Sequence, residues 1–280
     1  MSVPLGILSA RGSGTPLEAE RDLIEAGLSR IDAAAPPFDR AAHDPAHLAV
    51  LIGQWRMRMK VEHRSATVFS QLAHQLIERN APLDTKLVMM RMAQDELRHT
   101  GTCAQVVTTL GGDPTIEIEL VIQPLAEHRG VPIEERVLRN VLYTTTLSEL
   151  VACARFSATL ERTTEPYLRH ALRRLLSDEV LHAQFGFYYL ELEKDWLAAN
   201  PERVASIERY LTHAFAVIEE ELAPKPPFPR VPPALSALGC EEPEEAREVF
   251  YATMEHATAP GIARFGIDAP RAWRERRRLA

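Results

Sequence analysis

Apolar positions recur at steps of three and four through most of this chain, which places them on single faces of helices. Residues 45–79 carry the stripe Trp55, Met59, Glu62, Ala66, Phe69, Ala73 and Leu76. Asp44-Pro45 offers an N-cap and a proline at the first helical position, and Asn80-Ala81-Pro82 ends the run. A second helix is expected from Asp84 to Gly111-Gly112, with Met89, Met92, Ala93, Glu96, His99, Cys103, Val106, Val107 and Leu110 in one stripe. A third, over 132–165, lines up Leu138, Leu142, Thr145, Glu149, Ala152, Cys153, Phe156 and Leu160. A fourth follows to about residue 199, with Leu168, Leu172, Leu175, Leu176, Glu179, His182, Phe185 and Tyr189 facing one way.

Between the second and third helices, residues 112–132 hold Pro114, Pro124, Gly130 and Pro132. That is long for a hairpin and suits a crossover along a bundle. Alternation at 116–122 predicts a short extended piece on the way. Residues 1–20 read as a mobile arm, and a short helix over 17–34 is broken by Pro36-Pro37. Beyond the fourth helix, 203–222 predicts a fifth, and the proline-rich 225–233 predicts an extended strap. A further helix over 242–257 is expected to be interrupted by Pro260-Gly261. The fold class is all-α, with a helical bundle at 45–198 between an arm with a short helix (1–44) and a C-terminal helical extension (199–280).

Composition narrows the picture modestly. The chain has 280 residues, 25% of them charged, and a net charge of −7, which provides no basic field for nucleic acid. The basic run Arg274 to Arg278 reads as a solvated helix end. No apolar run is long enough to cross a membrane, and no signal peptide is evident. Cys103, Cys153 and Cys240 form no C-x-x-C pair, so a cytoplasmic, reducing location is expected, without a zinc or rubredoxin module.

The candidate chemistry lies in the stripes. Asp95-Glu96-Leu97-Arg98-His99 puts Glu96 and His99 three apart on an otherwise apolar face. The pattern returns as Asp178-Glu179-Val180-Leu181-His182. Each E-x-x-H is preceded by an isolated acid in an apolar stripe. Glu62 is the only acid between Asp44 and Glu78, and Glu149 the only one between Glu135 and Glu161. The separations are 34 residues from Glu62 to Glu96 and 30 from Glu149 to Glu179. Thirty-odd residues cover half a helix, a turn and an antiparallel return to the same level. Four carboxylates and two imidazoles then converge. Unpaired buried carboxylates repel and protonate, whereas two divalent cations balance four of them. Mixed carboxylate and imidazole donors suit iron or manganese.

These residues resemble the ferritin-like di-iron carboxylate superfamily, in which Glu from two helices and Glu-x-x-His from two others hold a dinuclear centre. The resemblance spans about residues 45–198. It implies a four-helix bundle with a long crossover, and Glu62, Glu96, His99, Glu149, Glu179 and His182 as metal ligands, with Glu96 and Glu179 bridging. It also implies that Asp95 and Asp178 hydrogen-bond the ligand histidine of the opposite pair, Asp95 with His182 and Asp178 with His99. The implied cofactor is two Fe ions, with manganese or a mixed pair also open, and dioxygen as co-substrate.

Departures from relatives narrow the function. Cys103 stands where radical-generating reductase subunits carry tyrosine. Hydroxylase subunits of bacterial multicomponent monooxygenases can have cysteine there and tend to have threonine where Cys153 stands. Leu175 replaces the extra histidine of arylamine N-oxygenases. Among catalytic candidates, Glu62 and Glu149 are terminal ligands able to shift, Thr145 is a polar group near bound dioxygen, and Cys103 and Cys153 are a redox or proton-relay pair. Plain core packing is the competing reading of both cysteines. Phe69, Phe156, Leu176 and Phe185 would wall a substrate site, with Ala66 and Ala152 leaving room. His63, His74, His128, His170 and His213 are expected at the surface or in the core.

The expectation is a non-haem di-iron oxidoreductase that activates dioxygen to hydroxylate, N-oxygenate or desaturate a small organic substrate. Its electrons would come from an external donor, because no dinucleotide fingerprint or iron–sulfur spacing is present. The other readings are a ferritin- or rubrerythrin-like metal-binding or peroxide-protection protein, and a structural bundle stapled by metal. A homodimer is left open.

Overall fold

The computed structural model describes residues 2–4, 35–119 and 123–276. The helix expected over 17–34 and most of the arm lie outside them. The architecture is all-α apart from one small ribbon. Ser2–Pro4 (β1) pairs antiparallel with Glu117–Glu119 (β2), with Val3 opposite Ile118, so the start of the expected arm is paired.

The long helices begin and end where their local chemistry directs. In α1, Pro45–Glu78, the Asp44 side chain accepts from the Ala46 N–H at 2.8 Å, and Pro45 occupies the first turn. The next turn uses Asn80 at φ 57°, a left-handed conformation that asparagine tolerates. In α2, Leu83–Thr109, the end is set by Gly111 at φ 89°, which turns the chain out of the helix. In α5, Pro166–Leu192, the Glu165 side chain caps the Leu168 N–H at 2.7 Å.

The third helical stretch is not a plain α-helix. It runs as α3 (Ile133–Val141), a π-helical segment Leu142–Glu149, and α4 (Leu150–Arg162). The wider winding turns three consecutive threonines, Thr144, Thr145 and Thr146, into the interior. Gly186 on α5 receives them. A Cβ there would lie 1.8 Å from Thr146 Oγ1 and 2.7 Å from Thr145 Oγ1.

The crossover climbs α1, and its contacts trace the path. Arg56 donates to the Thr115 carbonyl at 2.7 Å, Gln71 bonds Gln123 and Leu125, and Asn140 bonds both Gln75 and the Ala126 carbonyl. α1 packs along α2, α5 packs against the third stretch, and α2 meets α5.

Two apolar clusters form the core. One gathers Leu51, Trp55, Met59, Cys103, Val107, Leu168 and Leu175. The other gathers Phe69, Leu76, Met92, Leu142, Phe185 and Tyr189, and it continues into the C-terminal helices through Phe215, Phe250 and Trp273. On α1, α2 and α5 the break between the clusters falls at Glu62, at Glu96 and His99, and at Glu179 and His182.

The C-terminal extension comprises α6 (Lys194–Ala199), α7 (Pro201–Leu222), α8 (Pro233–Ala237), α9 (Pro243–Thr253), a π-helical turn Met254–Thr258, α10 (Ala259–Ala263) and α11 (Ala269–Glu275). Two expectations change here. Pro260 does not interrupt the helix. It lacks an N–H and its ring crowds the preceding turn, and the chain accommodates it with the π-turn and continues. Nor is the basic run uniformly solvated. Arg276 is 5% exposed, ion-paired with Glu219 at 2.5 Å and stacked on Trp273. No helix of the described residues is long and apolar enough to cross a membrane.

Candidate metal centre

Six side chains from four helical stretches meet in the layer between the apolar clusters. They form two overlapping tetrads: Glu62, Glu96, His99 and Glu179, and Glu96, Glu149, Glu179 and His182. Within each tetrad the donor atoms lie within 4.8 Å of one another. Glu96 and Glu179 belong to both. Glu62 and Glu149 are 4% and 9% exposed, and the other four are more deeply buried.

The imidazoles are oriented alike. His99 Nδ1 lies 3.1 Å from Glu179 and 3.5 Å from Glu62, while its Nε2 faces Asp178 at 3.3 Å. His182 Nδ1 lies 2.9 Å from Glu96 and 3.2 Å from Glu179, while its Nε2 faces Asp95 at 3.5 Å. Each ring therefore turns one nitrogen to the carboxylates and the other to an aspartate on the opposite helix. A hydrogen bond from Nε2–H fixes the tautomer that leaves the Nδ1 lone pair free for a cation.

Arg98 ties the two aspartates together. It pairs closely with Asp95 and reaches Asp178 at 3.5 Å, so one guanidinium spans α2 and α5. Arg91 adds a longer contact to Asp95 at 3.8 Å. Sequence reasoning left Arg98 without a role, although it lies inside the first pentad. The available signal was its asymmetry, since Leu181 holds the matching place in the second pentad.

The electrostatics show how six ionisable groups share a buried layer in protein alone. Burial would lower the His99 pKa, but hydrogen bonds to Asp178, Glu179 and Glu62 together raise it to about 12. For His182, Asp95, Glu179 and Glu96 overcome burial and also raise it to about 12. Burial raises Glu179, but His182 and His99 pull it down to about 2. Burial pushes Glu96 well up, against the His182 hydrogen bond and with Glu62 adding to the rise. Glu149 rises with burial and with the charges of Glu179 and Glu96. In protein alone the layer thus favours protonated imidazoles and an ionised Glu179, with Glu96 and Glu149 pushed towards the neutral acid.

The donor set fits a pair of divalent cations. Other buried acids among the described residues have a guanidinium: Glu135 pairs with Arg139 and Arg203, Glu193 with Arg79, and Asp95 with Arg98. Glu62, Glu96 and Glu179 have only imidazoles. Buried charges without such partners coordinate metals or neutralise.

The remaining sequence-predicted residues surround this layer. Cys103 is fully buried and Cys153 partly so, and burial raises both thiols above their ordinary range. Both feel the charge of Glu179, which places them near the cluster. Thr145 is buried, and its hydroxyl donates to the Val141 carbonyl at 2.8 Å. Among the described residues Thr146 Oγ1 has no hydrogen-bond partner. The Phe69 ring stands 5.4 Å from that of His182, edge to face. Phe185 and Ala66 are buried, while Phe156, Leu176 and Ala152 are half-buried. Of the extra histidines, His128 bonds Asn140 at 3.0 Å, away from the cluster. A surface cleft of about 430 Å³ lies between Glu255 and Trp273, and none of the six residues lines it.

No protein-family model, curated protein or solved structure matches this chain.

Proposed function

We propose that this chain is a ferritin-like carboxylate-bundle protein with a dinuclear metal centre, and that it is a di-iron oxidoreductase. The observation that carries the reading is the pair of buried tetrads sharing Glu96 and Glu179. Shared carboxylates let two cations sit close together, each with an imidazole of its own. Two iron ions held there would supply dioxygen activation, drawing electrons from a separate donor and oxidising a small organic substrate. Manganese satisfies the same donors.

The chain's own groups divide the work. Glu96 and Glu179 serve both positions. Glu62 completes one and Glu149 the other. Asp178 and Asp95 hold the Nε2 protons of His99 and His182, and Arg98 fixes both aspartates. Cys103 and Cys153 are held as neutral thiols, shaping the surroundings of the centre. Thr145 keeps its oxygen lone pairs inside while its proton is engaged by the backbone.

Metal analysis with optical spectroscopy of the reduced protein, before and after dioxygen, tests this reading. Two metals per chain and a dioxygen-dependent spectral change are expected. Two metals with no response to dioxygen would leave a metal-stapled bundle. Fewer than two would overturn the dinuclear centre.

A further inference from the structure

Arg58 is a cation that the proposed centre leaves unused. It lies on α1 four residues before Glu62, one turn away on the same face. Its guanidinium is sandwiched between aromatic rings, 4.5 Å from the Trp55 centroid and 4.6 Å from that of Phe156. Trp55 belongs to α1 and Phe156 to α4, so the stack bridges two helices beside the layer. The Arg58 charge reaches the buried thiol of Cys103, which also feels Glu62, Glu96 and Glu179.

Both rings pack against the guanidinium, whose N–H groups remain for an acceptor. Arg58 is half-buried, and its Nη1 is shielded from solvent with no acceptor among the described residues. Nor does it have a carboxylate partner among the described residues. Arg79, Arg98, Arg139 and Arg155 each have one. A buried charged donor without an acceptor is more costly than a neutral one, and a planar guanidinium edge matches an oxyanion. Trp55, which it packs on, belongs with Met59 and Cys103 to the same buried apolar cluster.

We infer that Arg58 docks the charged end of the substrate, an organic oxyanion (carboxylate or phosphate ester) whose apolar body reaches the layer of Glu62, Glu96 and Glu179. Arg58 and Glu62 stand about 6 Å apart along the helix axis. The inference rests on the proposed dinuclear centre for the location of the reacting end, whereas anion binding at Arg58 is measurable separately from metal content.

The test titrates the metal-loaded full chain calorimetrically with hexanoate, hexyl phosphate and hexan-1-ol, with metal content measured on the same samples. One of the anions is expected to bind at least about tenfold more tightly than the alcohol, and which one does so identifies the headgroup. Arg58→Gln should abolish that preference at unchanged metal content. Arg56→Gln, an exposed position bonded to a backbone carbonyl, should retain it. Equal binding of all three probes by the wild type overturns the inference, as does a preference that survives Arg58→Gln. If Arg58→Gln fails to fold, a crystal structure of the wild type with the tighter anion decides. Its oxygens belong at Arg58 Nη1, and any other seat refutes the assignment. Low metal content with the anion preference intact would count against the dinuclear centre alone.

Discussion

Glu96→Gln separates a ligand from a structural acid. Glu96 Oε1 lies 2.9 Å from His182 Nδ1, and Glu96 belongs to both tetrads. The substitution keeps shape and removes one charge from each metal position. Removing one partner of a buried ionic contact costs about 3–5 kcal/mol, which is roughly two to nearly four orders of magnitude in affinity. Both metals should therefore be lost together. Glu62→Gln and Glu149→Gln touch one tetrad each and should leave about one metal per chain. The metal-free protein should respond in the opposite sense. Its Glu96 is pushed towards the neutral acid, which glutamine imitates, so its melting temperature should hold or rise. Metal content by mass spectrometry, anaerobic calorimetry with Fe²⁺ or Mn²⁺, and thermal melts of both forms read all three variants. Wild-type affinity in Glu96→Gln, or loss of both metals in the Glu62 and Glu149 variants alike, would refute the shared-ligand geometry.

Three further outcomes are expected. The metal-free protein should lose stability as pH rises from about 6.5, because His99 and His182 are raised to about 12 and their contribution fades between those values. Glu179, lowered to about 2, contributes above pH 4.5 and fades below it, so melting curves should peak on the acid side of neutral, and a flat profile would contradict the proton-filled layer. Metal binding must displace those protons, so affinity should climb with pH. Asp178→Asn and Asp95→Asn should each weaken metal binding about 10–100-fold, since each loosens one imidazole, and should also lower metal-free stability, since each removes a charge that holds the neighbouring imidazole protonated; unchanged affinity in calorimetry would remove their orienting role. Gly186→Ala should destabilise by about 1–3 kcal/mol in denaturant titrations, because the new Cβ meets Thr146 Oγ1 at 1.8 Å. A neutral result would mean that the π-helical segment does not depend on that close approach.

Much of the layer was legible because helical periodicity is local. An acid isolated in an apolar stripe, as Glu62 and Glu149 are, stands out in the sequence without knowledge of its neighbours. The repeated D-E-x-x-H and matched separations then fix the level at which the acids meet. The cap at Asp44 and the stop at Gly111 follow from equally local rules. The π-helical segment was not legible, because the stripe through Leu142, Thr145 and Glu149 also fits an α-helix. Its threonines meet Gly186, a residue on another helix, which no local pattern announces. Arg98 likewise reads as a surface residue until Asp178, 80 positions away, comes within reach.

By itself the sequence determined most of the helices and the acids and histidines set into their apolar stripes. Tertiary structure alone decided which of them belong to both tetrads, which nitrogen each imidazole turns to the carboxylates, and where the cations Arg58, Arg98 and Arg276 go. The physical reason is range. Helix formation and amphipathic burial are settled within a few residues, whereas the fate of a long charged side chain depends on which distant acid or ring the packing brings beside it.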